Sequence, residues 1–289
     1  MLTGPARSGT TLSVYLLSKA PDTVALDEPM VPGKLFGFMP DKDAVCDQIE
    51  KYYRRTRRKV RTEGKAVSKH VGGRITDATY GEPDAMGRRE SLLDKGEVSI
   101  DKDVTKAFYL VMKHPGMFTA LLPQLKHRFR CYAIVRNPLS VIASRSSIGK
   151  QQDMPAGGEA PPAASLIPKR GNAASMFDED LRHRLGTLPH GTLEWKLQML
   201  DWACGIYRRE LGEDQIIRYE DIIESGGRAL TALVPTAKEL DEPLENKNLN
   251  PLYDRKMMLE VGERVLRSEG AYWHFYSKES VKDLLAEIS

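Results

Sequence analysis

The stretch that decides the fold is GPARSGTT at residues 4–11, which stands between the apolar start of the chain and a helical pattern over 12–20. Its two glycines let the backbone turn tightly between a strand and a helix and turn N–H groups toward an anion. They have the spacing of a P-loop, but Thr10 and Thr11 follow where a P-loop has lysine and a hydroxyl residue. The cation is Arg7, inside the loop. We predict a phosphate-binding loop that differs from that of an ATPase or kinase.

Length and composition set the class of protein. The chain has 289 residues, 41% of them hydrophobic and 29% charged, which is typical of a globular domain. A net charge of +3 is small for a nucleic-acid-binding protein of this length, so we expect no nucleic-acid partner. One basic run, at 54–61, is interpreted as a solvated helix face; an anion-facing or partner-facing role is the alternative. The sequence leaves the oligomeric state open.

The cysteines and the apolar runs of the sequence indicate the cellular compartment in which we expect the protein. Cys46, Cys131 and Cys204 are far apart and form no CxxC pair, which argues against a disulfide framework or a zinc site. No apolar run approaches the roughly 18 residues of a membrane span. The first 20 residues lack the pattern of a signal peptide. We therefore expect a cytoplasmic protein without a membrane partner and without a metal.

Apolar runs alternate with helical patterns along the chain. The predicted strands are 23–26, 108–112, 131–135 and 215–219, and the predicted helices are 12–20, 41–63, 117–127, 138–148, 192–211, 251–269 and 278–288. This alternation predicts an α/β fold, with a P-loop-like central parallel sheet flanked by helices on both faces. We expect one domain over 1–289. Residues 64–105 give weak signals, and the Pro- and Gly-rich stretch from 151 predicts a flexible, substrate-covering lid at about 151–190.

Charged residues follow the predicted strands. Ligands of parallel α/β folds bind at the carboxyl ends of the strands, where Glu28, Lys113, His114 and Arg136 stand. Ser144 lies eight residues beyond Arg136, on the helix that follows the strand. An arginine and a hydroxyl together suit a phosphate monoester.

Taken together, GPARSGTT at 4–11 and RNPLSVIAS at 136–144 resemble the sulfotransferases that use 3′-phosphoadenosine 5′-phosphosulfate (PAPS), especially bacterial members that act on small molecules. RYED at 218–221 resembles a third segment of that family. The resemblance implies PAPS as co-substrate, adenosine 3′,5′-bisphosphate (PAP) as product, and no metal. It implies that the cofactor is bound by Arg7, Ser8, Gly9, Thr10, Thr11, Leu12, Arg136, Ser144 and Tyr219. Leu12 stands where the family often has an adenine-stacking tryptophan, and the late GxxGxxK element is not recognisable.

The resemblance also implies catalytic roles. Arg7 is expected to neutralise charge on the leaving 5′-phosphate, and Lys113 to contact the sulfuryl oxygens. Two candidates for the base stay open: His114, whose Lys-His-Pro context is the closer motif match, and Glu28, which follows a strand in a Glu-Pro context. Histidine titrates near neutral pH, whereas a glutamate needs burial to raise its pKa.

The acceptor is expected to be a small molecule. The acidic pair Asp27 and Glu28 suggests a cationic or polar metabolite of secondary metabolism, for example a guanidinium alkaloid, with a carbohydrate second. Sequence does not separate transfer to oxygen from transfer to nitrogen. The rival functions are a P-loop kinase-like phosphotransferase and a non-enzymatic module that binds the bisphosphate without turnover.

Overall fold

The computed structural model describes residues 1–82, 89–149 and 173–288, without the side chains of 147–149. The strands are β1 (Leu2–Thr3), β2 (Thr23–Asp27), β3 (Lys65–His70), β4 (Asp94–Ser99), β5 (Tyr109–Lys113), β6 (Tyr132–Val135) and β7 (Ile216–Arg218). The helices are α1 (Thr10–Lys19), α2 (Pro32–Phe36), α3 (Lys42–Glu63), α4 (Pro115–Ala120), α5 (Leu122–Leu125), α6 (Pro138–Gly149), α7 (Ala173–Phe177), α8 (Glu179–Gly186), α9 (Leu193–Glu210), α10 (Tyr219–Glu224), α11 (Arg255–Arg267) and α12 (Lys278–Ile288). Short 3₁₀ helices cover Glu213–Gln215, Arg228–Ala232, Pro235–Glu239 and Ala271–His274.

A five-stranded parallel sheet forms the centre of the fold, in the order β2-β5-β1-β6-β7. The central strand β1 is two residues long, and its Leu2 pairs with Lys113 of β5 on one side and Tyr132 of β6 on the other. The predicted α/β fold with a parallel sheet is confirmed. Because β1 is central, the loop that follows it emerges in the middle of the sheet edge.

Helices cover both faces of this sheet. In β2, Val24 and Leu26 belong to one buried hydrophobic cluster and Ala25 to another, as expected when successive side chains of a strand point to opposite faces. The first cluster contains apolar residues of α3, α6 and α9, and the second contains those of α1 and α10. The strands are buried on both sides, which explains why they are continuous apolar runs in the sequence.

A small antiparallel hairpin, β3–β4, occupies part of the region whose sequence signals are weak. It packs against the end of β2, where the Ser68 hydroxyl accepts a 2.9 Å hydrogen bond from the Asp27 amide. Only Ala66 and Ser68 of β3 and Val98 of β4 are buried, and the other hairpin side chains are partly or fully exposed. Such strands lack the apolar pattern that reveals the central ones.

The predicted lid falls into two parts. Residues 150–172 lie outside the described residues, and the prediction for them stays a prediction. For 173–190 the structure shows two helices, α7 and α8, that pack against the core, and a lid is not confirmed there. Phe177 and Leu181 are fully buried in the larger hydrophobic cluster. Burial of these side chains stabilises the two helices.

In the part of the chain that the structure describes, no helix combines the length and apolar character needed to cross a membrane.

Candidate functional site

The carboxyl ends of β1 and β6 mark the crevice in which a parallel α/β fold is expected to bind its ligand. These strands are neighbours, but the helices that follow them leave to opposite faces: α1 packs in one hydrophobic cluster and α6 in the other. Such a divergence leaves a cleft at the strand ends, where α/β folds bind their ligands. Residues 4–9 leave β1 at this point, and Arg136 leaves β6.

The loop depends on its two glycines. Gly4 has φ +154°, and a Cβ there would lie 2.4 Å from the Ile134 carbonyl oxygen. Gly9 has φ +93°, and a Cβ there would lie 2.6 Å from the ring of Tyr219. Both positions exclude a side chain, by backbone conformation and by space. The loop backbone is thereby pressed against β6 and α10 at the start of α1.

Arg7 joins the loop to the far side of the crevice. It has a positive φ of 78°, a strained conformation for a residue with a side chain. Its Nε donates a 2.9 Å hydrogen bond to Oγ of Ser144 on α6, and its guanidinium lies 5.4 Å from the ring centre of Tyr80. Burial, followed by the nearby charge of Arg136, lowers the pKa of Arg7.

Arg136 supports the loop from below. Its Nη1 donates to the carbonyl of Arg7 at 3.2 Å, its Nε donates to Oδ1 of Asn248 at 2.8 Å, and its Nη2 donates to the Lys247 carbonyl. Arg136 and Ser144, the pair expected to act together, thus both contact Arg7. Asn248 is buried and was missed by sequence reasoning, because nothing local marks a residue that meets Arg136 from 112 positions away.

Tyr219 packs against the loop at Gly9. Its ring lies beneath Gly9 and 4.3 Å from the Arg136 guanidinium, and its hydroxyl accepts from the Lys247 amide at 3.1 Å. Leu12, expected near the adenine, is partly buried and packs against the α1–α10 cluster. The structure therefore places Tyr219 in the site and Leu12 at its border with the core.

Glu220, which follows Tyr219, links the segments beneath the loop by hydrogen bonds. Glu220 accepts hydrogen bonds from the Asn137 amide at 3.2 Å, from Nδ2 of Asn248 at 2.8 Å and from the Tyr276 hydroxyl at 2.5 Å. The network joins β6, α10 and the segment around Asn248. It holds Arg136 in place through Asn248, a positioning role that the RYED motif did not reveal.

Two further cations extend the cluster, Arg145 near Arg7 and Lys196 near Arg145. Arg145 stacks 5.3 Å from the ring centre of Trp195, and Lys196 donates to the Ser146 hydroxyl at 3.1 Å. Burial and the charge of Arg7 lower the pKa of Arg145 to about 10, while burial and the charge of Arg145 lower that of Lys196. Sequence reasoning missed both residues, although Arg145 directly follows Ser144.

Among the described residues, these cations lack acidic partners. Within the described ranges, Arg7, Arg136, Arg145 and Lys196 have no carboxylate oxygen within 4.0 Å. Like charges held together without carboxylates repel, and a bound polyanion relieves that repulsion. The charge of the crevice thus suits a ligand with more than one phosphate.

Ser8 points to the same kind of ligand. It is fully buried, its amide donates to the Pro5 carbonyl at 3.1 Å, and its Oγ has no hydrogen-bond partner within the described part of the chain. A buried hydroxyl without a partner is uncommon in folded proteins. Together with the glycine backbone, it leaves a donor in the loop that an anionic oxygen satisfies.

Lys113 connects this loop to the end of β2. Its Nζ donates to Thr11 Oγ1 at 3.1 Å, to Asp27 Oδ1 at 2.7 Å and to Glu28 Oε1 at 3.3 Å. Burial lowers its pKa, but the two carboxylates outweigh burial and raise the pKa above its ordinary value. Lys113 therefore stays charged at the point where the loop meets the second half of the site.

Glu28 is held in a strained conformation at the end of β2, with φ +42°. Its other oxygen, Oε2, lies 2.6 Å from Nζ of Lys69 on the hairpin, and its side chain is 28% exposed. Burial alone would raise its pKa, but the charges of Lys113 and Lys69 together outweigh burial and lower the pKa. The carboxylate is therefore ionised well below neutral pH. Lys69 was missed because the hairpin that carries it was missed.

His114 is more deeply placed than its neighbour. It is 3% exposed, and its Nε2 accepts a 3.1 Å hydrogen bond from the Met30 amide. Burial lowers its pKa to about 3, so the ring is neutral at physiological pH. One ring nitrogen is thereby occupied as an acceptor, which leaves His114 a poorer candidate for the base than the sequence indicated.

The predicted site residues form two groups around the loop. One lines the crevice and contains Arg7, Ser8, Arg136, Ser144 and Tyr219; the other contains Glu28, Lys113 and His114. Thr11 links them, and Thr10 is buried beside Gly4 at the start of α1. Among the residues described, no group of three or more His, Cys, Asp and Glu side chains is arranged to hold a metal ion.

No family model matches the chain, and neither a curated protein nor a solved structure is significantly similar to it.

Proposed function

We propose that this chain is a sulfotransferase that moves a sulfuryl group from PAPS to a hydroxyl or amino group of a small polar metabolite. The observation that carries the proposal is the contact of Arg7 with Ser144. It joins the two segments whose sequences resemble the PAPS-dependent family. Each alone is a weak signal, and their meeting in one crevice is what a single bisphosphate ligand requires.

The fold supports a P-loop-like role for residues 4–11. The loop leaves the central strand and leads into the N-terminus of α1, where backbone N–H groups and the helix dipole favour an anion. The Ser8 hydroxyl, which has no partner among the described residues, fits a 5′-phosphate, and Gly4 and Gly9 let the loop backbone pack closely on β6 and α10. A P-loop lysine is absent after Gly9, which favours a phosphosulfate over a nucleoside triphosphate.

The second phosphate fits the cationic side of the crevice. Arg136 and Arg145 lie near Arg7, and Lys196 lies near Arg145, all without carboxylate partners within the described ranges. We assign this side to the 3′-phosphate, and Tyr219, beneath Gly9, to the adenosine. An arginine cluster with a hydroxyl is a strong binder of a phosphate monoester.

PAPS supplies the sulfuryl group and a phosphate that accepts negative charge as the group departs. In our proposal Arg7 and the loop amides stabilise the charge on that phosphate. We assign contact with the transferred group to Lys113, which donates to Thr11 and to the two carboxylates. Glu28 is our choice for the proton acceptor on accessibility and not on basicity. The pKa of both candidates is lowered and both make contacts, but Glu28 is partly exposed whereas His114 is buried.

Ligand-dependent thermal stability tests this proposal. PAP is expected to raise the melting temperature, whereas ATP and GTP, with or without magnesium, are expected to have little effect. A protein that binds a ligand only when folded is stabilised by about 2.7 kcal/mol when the ligand is present at one hundred times its Kd. Stabilisation by magnesium and ATP instead of PAP would establish the kinase-like alternative.

Turnover then separates an enzyme from a binding module. Incubation with ³⁵S-labelled PAPS and pools of hydroxylated and amino metabolites is expected to give a labelled product. The matched control is the Arg7→Ala variant, which is expected to lose both the PAP effect and the product. PAP binding without any labelled product from a broad set of acceptors would identify a non-enzymatic module.

A further inference from the structure

The carboxylates at the acceptor side of the site are already neutralised. Asp27 is paired with Lys113 at 2.7 Å, and Glu28 is paired with Lys69 at 2.6 Å and with Lys113 at 3.3 Å. A cationic acceptor would have to replace these lysines. Partners that are close and partly buried are costly to separate. The guanidinium acceptor suggested by the acidic pair in the sequence therefore does not suit the folded site.

A third lysine leaves an excess of positive charge. The hairpin register sets Lys95 directly opposite Lys69, and Nζ of Lys95 donates to the Met30 carbonyl, two residues beyond Glu28. The Met30 amide is the group that holds His114, so Lys95 lies at the edge of the same cluster. In the described part of the chain, Lys95 has no carboxylate oxygen within 4.0 Å.

The charges of this cluster do not balance. Three ammonium groups, on Lys69, Lys95 and Lys113, face two carboxylates and a neutral His114. Partial burial of its ammonium and the charge of Lys69 lower the pKa of Lys95 to about 8. A cation destabilised in this way gains from a bound anion, because the anion replaces the missing partner.

We propose that the acceptor carries an anionic group, a carboxylate or a phosphate or sulfate ester, that binds Lys95 while its hydroxyl or amino group faces Glu28. This inference rests on the proposed function for the identity of the reaction, but the anion site itself does not depend on PAPS. Lys95 and Lys69 define a cationic edge next to Glu28. A molecule that bridges this edge and Glu28 is thereby oriented for transfer.

Three phenols of matched size and different charge test the proposal: 4-hydroxyphenylacetate, 4-hydroxyphenylacetamide and tyramine. Their binding is measured by ligand-observed NMR, with and without saturating PAP. The anion is expected to bind most tightly. The Lys95→Gln variant is expected to weaken that binding by about tenfold or more, the scale of a lost charge-assisted hydrogen bond, and Lys95→Arg to restore it.

Lys65→Gln is the matched control, because Lys65 lies on the same hairpin and is exposed, paired with Glu97 at 3.0 Å. It is expected to leave the order of the three probes unchanged. Tighter binding of tyramine, no effect of Lys95→Gln, or no detectable binding of the anion at millimolar concentration would each overturn the inference. If PAP fails to raise the melting temperature, the proposed function fails; if PAP succeeds and the anion does not bind, only this inference fails.

Discussion

Nε of Arg7 donates a 2.9 Å hydrogen bond to Oγ of Ser144, which lies 137 residues later in the chain. The bond crosses the crevice between the loop after β1 and the helix after β6. It holds the Arg7 guanidinium beside the ring of Tyr80 and near Arg145. A single anionic ligand at this point would contact both segments, so the pair is the first target for mutation.

Arg7→Ala is expected to weaken PAP binding by about 10- to 100-fold, because a buried charge-assisted contact contributes roughly 1.5–3 kcal/mol. Ser144→Ala is expected to have a smaller effect, since it removes a neutral hydroxyl. Isothermal titration calorimetry with PAP measures both. Arg267→Ala on α11, where the side chain is 76% exposed, is the control and should leave PAP affinity unchanged. If Arg7→Ala and the control bind PAP with equal affinity, Arg7 does not contact PAP.

Gly9→Ala is expected to destabilise the protein and abolish PAP binding, because a Cβ at Gly9 would lie 2.6 Å from the Tyr219 ring. Gly64→Ala is the matched control: Gly64 also has a positive φ of 63°, but nothing lies within 4 Å of its Cβ position. The free energy of unfolding of the Gly64→Ala control should fall by about 1 kcal/mol from backbone strain alone. In Gly9→Ala, overpacking against Tyr219 should increase this loss by roughly 1–3 kcal/mol. Urea denaturation measures the free energies of unfolding, and similar losses in both variants would contradict the packing argument.

Glu28→Gln is expected to lower kcat by about 100-fold or more, since a positioned base contributes that much. PAP affinity should be unchanged, because Glu28 lies on the acceptor side of Lys113. His114→Gln can still accept the hydrogen bond from the Met30 amide and is expected to retain most of its turnover. Transfer assays on both variants, with PAP titrations in parallel, decide between the two candidates. If only His114→Gln loses turnover, His114 is the base and Glu28 is not.

Acid should destabilise the protein through His114. Burial lowers its pKa from 6.5 to about 3, so the unfolded chain takes up a proton between these values and the folded chain does not. Stability is therefore fully present above pH 6.5 and is lost as pH falls, by up to about 1.4 kcal/mol per pH unit from this group. Denaturation between pH 6.5 and 5, above the range where carboxylates titrate, should show a smaller slope for His114→Gln. Identical slopes would contradict the burial of the imidazole.

Lys113→Met is expected to lower the free energy of unfolding by about 3 kcal/mol or more, because it leaves the buried carboxylate of Asp27 without its partner. Adding Asp27→Leu should recover part of that loss, since an apolar pair needs no desolvation of charge. A double-mutant cycle by chemical denaturation gives the coupling. The single Asp27→Leu variant completes the cycle. Purely additive losses would show that the two charges do not act as a pair.

Local features of the sequence determined the sheet and the loop. The runs at 23–26, 108–112 and 131–135 are apolar because both faces of the sheet are covered, and this signal does not depend on distant residues. The glycines of 4–11 likewise mark a backbone conformation that other residues resist. Arg136 and Glu28 were found because strand ends meet at one edge of a parallel sheet.

Only the tertiary structure decided how these residues are paired and charged. Lys69 pairs with Glu28 and Lys95 donates to the Met30 carbonyl, both from a hairpin whose polar strands show no clear apolar pattern. Together they reverse the charge expected from the acidic pair. Asn248 meets Arg136 across 112 residues, and burial, not residue type, makes His114 a weak base. Hydrophobic periodicity and glycine conformation are local properties that a sequence records directly. Desolvation and ion pairing depend on which distant segments share a site, and folding alone brings those segments together.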